Sequence, residues 1–154
     1  MTSFDPLYLD PESCIVKAFL DRSCGSWTSQ RRYLFAPALK PTNMVTEFEM
    51  TKGVGDKPRY VIDWRGQTEG QMILTLDGLT LERSRDYFGD GANSSVIELI
   101  DQDCIVMHTS YNNTRFREEV RLIEGDGYRL RQTVGYNLDT GALVLAGQYF
   151  ETRL

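Results

Sequence analysis

Three arginines and a glutamate can share one face of the two alternating stretches that flank a Gly-Asp-Gly turn at residues 125–127. Side chains two residues apart in a strand share a face, so Arg129 and Arg131 project together. A hairpin loop of three residues, whose last glycine supplies the left-handed conformation, would bring Glu119 and Arg121 to the same face. A loop of two residues would place Glu119 on the opposite face, because one step of register reverses every side chain. We favour the three-residue loop.

A charged face of this kind has two interpretations. It is either a solvated outer face whose apolar reverse covers the core, or the wall of a polar pocket. In such a pocket, forked guanidinium groups would bind a dianion, and the carboxylate would face a cationic or NH-rich centre. The hairpin alone leaves both interpretations open, and the elements around it must decide.

The composition excludes several classes of function. With 154 residues, of which 41% are hydrophobic and 25% charged, the chain is long enough for one domain with a substantial core. Eight Tyr, seven Phe and two Trp suit strands and a pocket wall better than a helical bundle. A net charge of −5 without a basic run argues against nucleic acid and anionic membranes as partners. No stretch approaches the roughly 20 apolar residues of a membrane span, and the N-terminus lacks the features of a secretion signal.

The cysteines and the histidine do not make a reactive or metal site. Cys14, Cys24 and Cys104 are far apart and odd in number, which favours free thiols in a reducing compartment. We interpret them as small buried packing residues rather than catalytic thiols. With His108 as the single histidine, no metal site and no Cys-His nucleophile pair is expected.

One helix is predicted over residues 11–23. Asp10 can cap it and Pro11 fits its first position. Val16 and Leu20 recur at helical spacing, and a glycine follows as a stop. We interpret its apolar face as a lid or plug on a sheet rather than a binding site for another protein.

After this helix the apolar period changes from about 3.6 to 2, which predicts strands. Pro37 and Pro41 are expected to bracket one connection, and Asp77-Gly78 to make a tight hairpin turn. About ten strands are predicted, over residues 27–35, 44–50, 59–66, 70–76, 79–88, 96–100, 104–111, 115–123, 128–136 and 142–153.

These strands predict an all-β fold, a lipocalin-like antiparallel up-and-down barrel over residues 27–153. A barrel of ten strands encloses room for one small ligand, and no repeat or linker divides residues 1–154 into two domains. Trp64 is then either core or a flat wall for a conjugated ligand. Glu151 and Arg153, on the last strand, are either edge charges or part of a polar interior.

The segment 19–31, Phe-Leu-Asp-Arg-Ser-Cys-Gly-Ser-Trp-Thr-Ser-Gln-Arg, is similar to a pattern of the S-type phycobiliprotein lyases, the CpcS/CpeS family. The chain also resembles this family, and most of all its CpeS branch, at Trp-Arg-Gly 64–66 and Glu-Glu 118–119. The resemblance continues at Arg-Leu-Arg 129–131 and ends at Glu-Thr-Arg 151–153. These anchors keep their order over nearly the whole chain.

The resemblance implies a barrel that binds a linear tetrapyrrole, or bilin, and attaches it by a thioether to a cysteine of a phycobiliprotein α or β subunit. Phycoerythrobilin is the favoured bilin and phycocyanobilin the second choice, without a metal. The expected location is the cytoplasm of a cyanobacterium or of a phage-infected cyanobacterial host, or a plastid stroma. A homodimer is an open alternative.

The residues suit this chemistry. The two propionates of a bilin match the forked donors of Arg129 and Arg131, with Arg121 beside them. A carboxylate, Glu119 or Glu151, would stabilise the protonated and more electrophilic pigment. The acceptor thiol, rather than a cysteine of this chain, would be the nucleophile.

The rim and the walls of the pocket have predicted roles as well. Trp64 could stack on a pigment ring, and Arg31 could close the mouth of the barrel. Two other classes of function stay open. The barrel could be a non-catalytic carrier of a bilin, haem or fatty acid, or a structural barrel that binds only protein.

Overall fold

The computed structural model describes residues 10–84 and 93–154, and there it has one helix followed by ten antiparallel strands that close into a barrel. Each strand pairs with its neighbours in the sequence, and the first pairs with the last. The predicted fold class is confirmed. The predicted strand 79–88 is observed as residues 80–83, and residues 85–92 lie outside the described part. The elements are α1 (Pro11–Arg22), β1 (Gly25–Phe35), β2 (Lys40–Lys52), β3 (Arg59–Arg65), β4 (Gly70–Asp77), β5 (Thr80–Arg83), β6 (Asn93–Asp101), β7 (Cys104–Tyr111), β8 (Thr114–Ile123), β9 (Tyr128–Asn137) and β10 (Leu143–Arg153).

Helix α1 closes one end of the barrel, as its apolar face predicted. The Asp10 carboxylate accepts a hydrogen bond from the Glu12 amide, and α1 ends at Arg22, one residue before the predicted end. Val16, Phe19 and Leu20 are buried among the inward side chains of the strands. The helix thus supplies the floor of the core.

A set of charged contacts fastens the helix to this end. Arg22 donates to the carboxylates of Asp103 and Asp126, at 2.6 Å each, in the β6–β7 and β8–β9 turns. Arg153 donates to the main-chain carbonyls of Arg22 and Cys24 at 2.6 Å and of Asp126 at 2.9 Å. We call Arg22, Asp103, Asp126 and Arg153 the end clasp. The hydrogen bonds from Arg22 hold the pKa of Asp126 below its usual range.

At the opposite end of the barrel the wall has an uneven height, because the strands differ in length. Strand β2 has 13 residues, whereas β3 has 7 and β5 has 4. Only residues 47–52 of β2 pair with β3, so residues 40–46 have β1 as their one strand neighbour among the described residues. Pro41 lies within β2 and does not bracket its start as predicted, which an edge segment tolerates because a proline there withholds no ladder hydrogen bond.

The hairpin of β8 and β9 corrects the predicted register. Ile123 pairs with Tyr128, so the loop has four residues, 124–127, instead of three. An even loop reverses the predicted faces. Glu119 pairs with Gln132 on the outer face, and the left-handed residues of the loop are 124–126 rather than Gly127. The prediction that Glu119 and Arg121 share a face with the two β9 arginines is therefore wrong.

The cysteines are free, as predicted, but they are not equally buried. Cys104 is buried and Cys24 is half-buried. Cys14 is exposed, so its interpretation as a buried packing residue is wrong. Within the described ranges, no helix has the length and apolar character that crossing a bilayer requires.

Candidate functional site

Five charged side chains meet inside the barrel in a sequence of alternating sign. Arg129 Nε donates to Glu151 Oε1 at 2.7 Å, and Arg131 Nη1 lies 3.4 Å from Glu151 Oε2. Arg131 Nη2 also donates to Glu118 Oε2 at 3.0 Å. On the far side of Glu118, Arg83 Nη2 of β5 lies 3.8 Å from Oε1. We call Arg83, Glu118, Arg129, Arg131 and Glu151 the inner cluster.

Glu151 is the most deeply buried member of the inner cluster, with none of its surface exposed. Burial alone would raise the pKa of this carboxyl, but Arg129, Arg131 and a hydrogen bond from Ser29 together hold it below its usual value. The carboxylate is therefore ionised at neutral pH. Its position follows from register, since Glu151 pairs across the strands with both Arg129 and Ser29.

Arg129 is held between this carboxylate and two aromatic rings. Its guanidinium carbon lies 5.4 Å from the ring centre of Trp27 and 5.2 Å from that of Phe48. Burial lowers the pKa of Arg129, and Glu151 opposes that effect. An arginine pKa starts far above neutrality, so the group stays charged and acts as a fixed cation.

Tyr149 joins the inner cluster to the open half of the barrel. The guanidinium carbons of Arg131 and Arg31 lie 4.7 Å and 5.2 Å from its ring centre. Arg31 also donates to the Ser29 hydroxyl at 3.0 Å, and among the described residues no carboxylate lies within ion-pair distance of it. Beyond Tyr149, a cavity of about 200 Å³ opens between aromatic and aliphatic side chains: Tyr33, Phe35, Met44, Phe116, Thr133 and Leu145.

Trp64 is placed by its neighbour across the β3–β4 pair. Gly70 is its direct partner, and a Cβ on Gly70 would come within 2.3 Å of the indole. The ring therefore lies flat against the backbone, half-buried and packed on the core. Trp64 lines neither the cavity of about 200 Å³ beside Tyr149 nor a smaller cavity of about 80 Å³ near the helix, as far as the described residues show. Its predicted stacking on a pigment therefore stays a prediction.

The structure brings together only part of the predicted site. Arg129, Arg131 and Glu151 meet inside the barrel, and Arg31 reaches Tyr149 above them. The outward Glu119 lies 3.7 Å from Arg117, and the outward Arg121 lies 3.3 Å from Asp101. These last two groups point away from the inner cluster.

Glu118 and Arg83 belong to the inner cluster but were not predicted. A signal for Glu118 was present, because it falls in phase with the buried residues Phe116, Val120 and Leu122. Arg83 is in phase with buried Leu81 in the same way. A charged residue at an apolar position of a strand indicates a paired charge in the interior.

The arrangement can bind an elongated, conjugated anion. Three guanidinium groups offer forked donors at the base of an aromatic wall, and two carboxylates can accept from NH groups or stabilise a cation. The clusters of His, Cys, Asp and Glu that a metal ion needs are absent from the residues the structure describes. A small second cavity of about 80 Å³ lies below, between the inner cluster and the helix.

Comparison with known proteins gives a consistent result, although no protein-family model matches the chain. A protein of Picosynechococcus sp. that carries the name of a chromophore lyase, CpcV, is 28% identical over 165 residues, covering 89% of this chain and 80% of that protein. A protein of Nostoc sp. that carries the name of a phycocyanobilin lyase, CpcS 2, is 26% identical over 170 residues, covering 93% and 92%.

The chain is similar to phycobilin lyases over most of its length. The solved structure of the S-type phycobiliprotein lyase CpeS of Guillardia theta has the same fold, with a TM-score of 0.69 at 17% identity. That match covers 94% of this chain and 98% of the other. The resemblance drawn from the sequence motifs is therefore confirmed at the level of the S-type lyase family and its fold.

Proposed function

We propose that this S-type lyase relative binds a linear tetrapyrrole inside its barrel and transfers it to a cysteine of a phycobiliprotein subunit. The observation that carries the proposal is the inner cluster of buried arginines and carboxylates at the base of an aromatic wall. A fatty acid needs one cation and an apolar tunnel. Two carboxylates between three arginines suit a ligand that carries both acidic side chains and NH groups.

The arginines would hold the propionates of the pigment. Arg131 already divides its donors between Glu118 and Glu151, so it can turn one of them towards a ligand carboxylate at little cost in geometry. Arg31, half-buried near the open side, is placed for the second propionate. The rings between them would lie along Tyr149 and the aromatic wall.

The carboxylates would hold the pyrrole nitrogens, and here the inward Glu118 takes the role predicted for Glu119. A carboxylate beside the nitrogens favours the protonated, cationic pigment. That cation is the better electrophile, and the acceptor thiol adds across its ethylidene double bond. A carbon–sulfur bond forms, the thiol proton ends on the pigment, and no group leaves.

The nucleophile would come from the acceptor and not from this chain. Burial raises the pKa of both the Cys24 and the Cys104 thiols, so neither forms a thiolate readily. A linear tetrapyrrole is also larger than the cavity of about 200 Å³ beside Tyr149. Beside residues 40–46 of β2, where β3 is absent, the barrel wall is lower than elsewhere, and we call this place the low wall. We therefore expect one end of the bound pigment to project through the low wall, where a thiol can reach it.

The identity of the pigment is the finer part of the proposal. The CpeS-like motifs favour phycoerythrobilin, whereas the name of the Nostoc relative points to phycocyanobilin. Both pigments carry two propionates and the same row of pyrrole nitrogens, so the inner cluster would serve either. The acceptor would be an α or β phycobiliprotein subunit.

A matched pair of variants tests the proposal. Glu118→Gln and Glu119→Gln make the same chemical change at adjacent positions on opposite faces of β8. Each protein is titrated with phycoerythrobilin and with phycocyanobilin, and the red-shifted band of the protonated pigment is recorded. We expect Glu118→Gln to weaken that band strongly and Glu119→Gln to leave it unchanged. Equal spectra from the two variants would contradict the placement of the pigment.

The transfer step has its own measurement. The protein, a bilin and an apo phycobiliprotein subunit are mixed and separated on a denaturing gel, and zinc-induced fluorescence locates the covalently held pigment. Fluorescence on the subunit that depends on this protein supports a lyase. Pigment that binds the barrel but never joins the subunit would instead support the non-catalytic carrier.

A further inference from the structure

A long groove crosses the outer face of the barrel on the side of the long strands. Its volume is about 940 Å³. Two parallel rows of outward side chains from β2, β1, β10, β9 and β8 line most of it, as the strand register requires, and the inward residues Arg31, Met44, Arg131 and Tyr149 line it as well. We call this feature the outer groove; one row is Val45, Gln30, Phe150, Leu130 and Arg121, and the other is Asn43, Arg32, Gln148, Gln132 and Glu119.

The outer groove exposes apolar surface in a row. Val45 is 56% exposed, Phe150 44% and Leu130 39%, and Tyr128 stacks on Phe150 at the edge of the same patch. Amide side chains flank these residues. Contiguous exposed aromatic and aliphatic groups rimmed by polar ones are typical of protein interfaces.

The shape of the outer groove fits a helix better than an extended chain. Strands β1, β10 and β9 are paired on both sides, so their main-chain groups cannot receive another strand. Four inter-strand spacings separate β2 from β8, which makes the groove about 19 Å long. A helix of about 13 residues has that length and, at a width of about 10 Å, fills about 1,500 Å³. The groove would therefore take somewhat more than half of such a helix.

A second copy of this chain is a poor source of that helix. In the described residues the one helix is α1, and its apolar side chains Val16, Phe19 and Leu20 are buried in its own barrel. The charge of the groove also favours an acidic partner. Arg32 is free of ion pairs with the described residues, in a chain whose net charge is −5.

One end of the outer groove adjoins the low wall of the barrel. Gln67, in the turn between β3 and β4, lines the groove beside Asn43 and Val45 of β2. Residues 40–46 of β2 are the segment that β3 leaves uncovered. A helix lying in the groove would bring the chain that follows it to the place where the bound pigment is expected to project.

We propose that the outer groove docks an amphipathic α-helix of the acceptor phycobiliprotein subunit, with its apolar face on Leu130 and Phe150 and an acidic side chain opposite Arg32. The identity of the partner rests on the proposed function. The outward side chains of the groove lie on the face of these strands opposite the inner cluster, and of the cluster's members only Arg131 also lines the groove.

Docking is tested without pigment, by titrating apo α and β phycobiliprotein subunits against the full-length protein and measuring binding by fluorescence anisotropy. We expect the double variant Leu130→Ser, Phe150→Ser to weaken binding at least tenfold. Arg32→Glu should weaken it about fivefold or more and change its dependence on salt. The matched control is Val96→Ser with Ile100→Ser, two outward apolar residues of β6 that are 60% and 44% exposed. It should bind like the unaltered protein.

The outcomes separate docking from transfer. Bilin binding, read from absorbance, should be the same in all these variants, and the transfer reaction of the groove variants should show a raised KM for the subunit. If neither apo subunit binds the unaltered protein, or if the groove and control variants bind equally, the docking proposal is overturned. It is also overturned if sedimentation shows a dimer that the groove variants dissociate, since the occupant is then a second copy. Subunit binding in the groove without any pigment transfer would refute the proposed function and leave the docking inference standing.

Discussion

Arg153 in the end clasp and Arg131 in the inner cluster each hold several oxygen atoms, but the oxygens differ in kind. Arg153 donates to three main-chain carbonyls at 2.6–2.9 Å, in two segments fixed by the helix end and the β8–β9 turn. Arg131 donates to two side-chain carboxylates at 3.0 Å and 3.4 Å. Carboxylates on side chains can rotate and exchange partners, whereas carbonyls of packed backbone cannot.

This contrast separates a structural end from a ligand-binding interior. Arginine at the closed end has no capacity left for a ligand without unfastening α1. An arginine in the inner cluster can release one carboxylate and donate to another in its place. Changes at the closed end are therefore expected to affect stability, and changes inside the barrel to affect stability and pigment binding separately.

The largest expected effect comes from removing Glu151 alone. Glu151→Leu leaves Arg129 buried between rings without its carboxylate, and breaking a buried pair costs about 3–5 kcal/mol. Replacing both partners, with Glu151→Leu and Arg129→Met, should recover at least half of the loss, because neither charge is then left alone. Urea unfolding measures both. A double variant no more stable than the single one would show that the pair is not the source of the loss.

The end clasp gives the next largest effect. Arg153→Ala removes three charge-assisted hydrogen bonds and the guanidinium that lies 4.3 Å from the ring centre of Trp27, so we expect a loss of about 3 kcal/mol. Unlike a change in the inner cluster, Arg153→Ala should leave the affinity of the folded protein for a bilin unchanged. Arg117→Ala, at an exposed arginine, is the control and should change stability by no more than about 0.5 kcal/mol.

Acidification should affect the two regions to different degrees. The pKa values of Glu151 and Asp126 are both lowered in the folded protein, so each contributes stability above its unfolded pKa of about 4 that is lost as the pH falls below it. Asp126 is 30% exposed and Glu151 is fully buried, so added salt should weaken only the contribution of Asp126. Unfolding of Asp126→Asn and of the Glu151–Arg129 double variant, measured between about pH 7 and pH 3 at low and high salt, tests this difference. Equal salt dependence of the two would count against it.

The smallest effect is expected at the mouth. Arg31→Lys keeps the charge but loses the planar group over Tyr149, so bilin affinity should fall by about two- to fivefold with little change in stability. Arg32→Lys, at the next position on the outer face, is the control and should bind bilin like the unaltered protein. A similar loss in both variants would show that the contact of Arg31 with the Tyr149 ring is not what sets the affinity.

Much of the fold could be predicted from the alternation of apolar and polar residues, because an error in the length of one turn does not change the alternation within a strand. The alternation of Met44, Thr46, Phe48 and Met50 predicted the inward face of β2 correctly, because burial acts on each strand separately. The start of α1 was also predictable, since Asp10 and Pro11 determine it locally. What failed was the relation between two strands, which depends on the number of residues in one turn.

The β8–β9 loop shows why the site was harder to predict than the fold. Three residues with positive φ in succession, 124–126, make a loop of four, and Glu124 is not a residue whose type announces that conformation. This one extra residue exchanged Glu119 for Glu118. Arg83 could not have been connected with Glu118 at all, because β5 and β8 meet only through closure of the barrel.

The uncovered part of β2 has a consequence for the behaviour of the protein in solution. A strand with one neighbour presents unpaired main-chain groups, which invite intermolecular β-pairing and aggregation. Residues 40–46 begin with Lys40 and Pro41, a cation and an imide nitrogen that cannot donate, and both discourage strand addition. The uncovered segment of β2 thus carries its own protection against polymerisation, and replacing Pro41 by a β-branched residue would remove that protection without touching the interior.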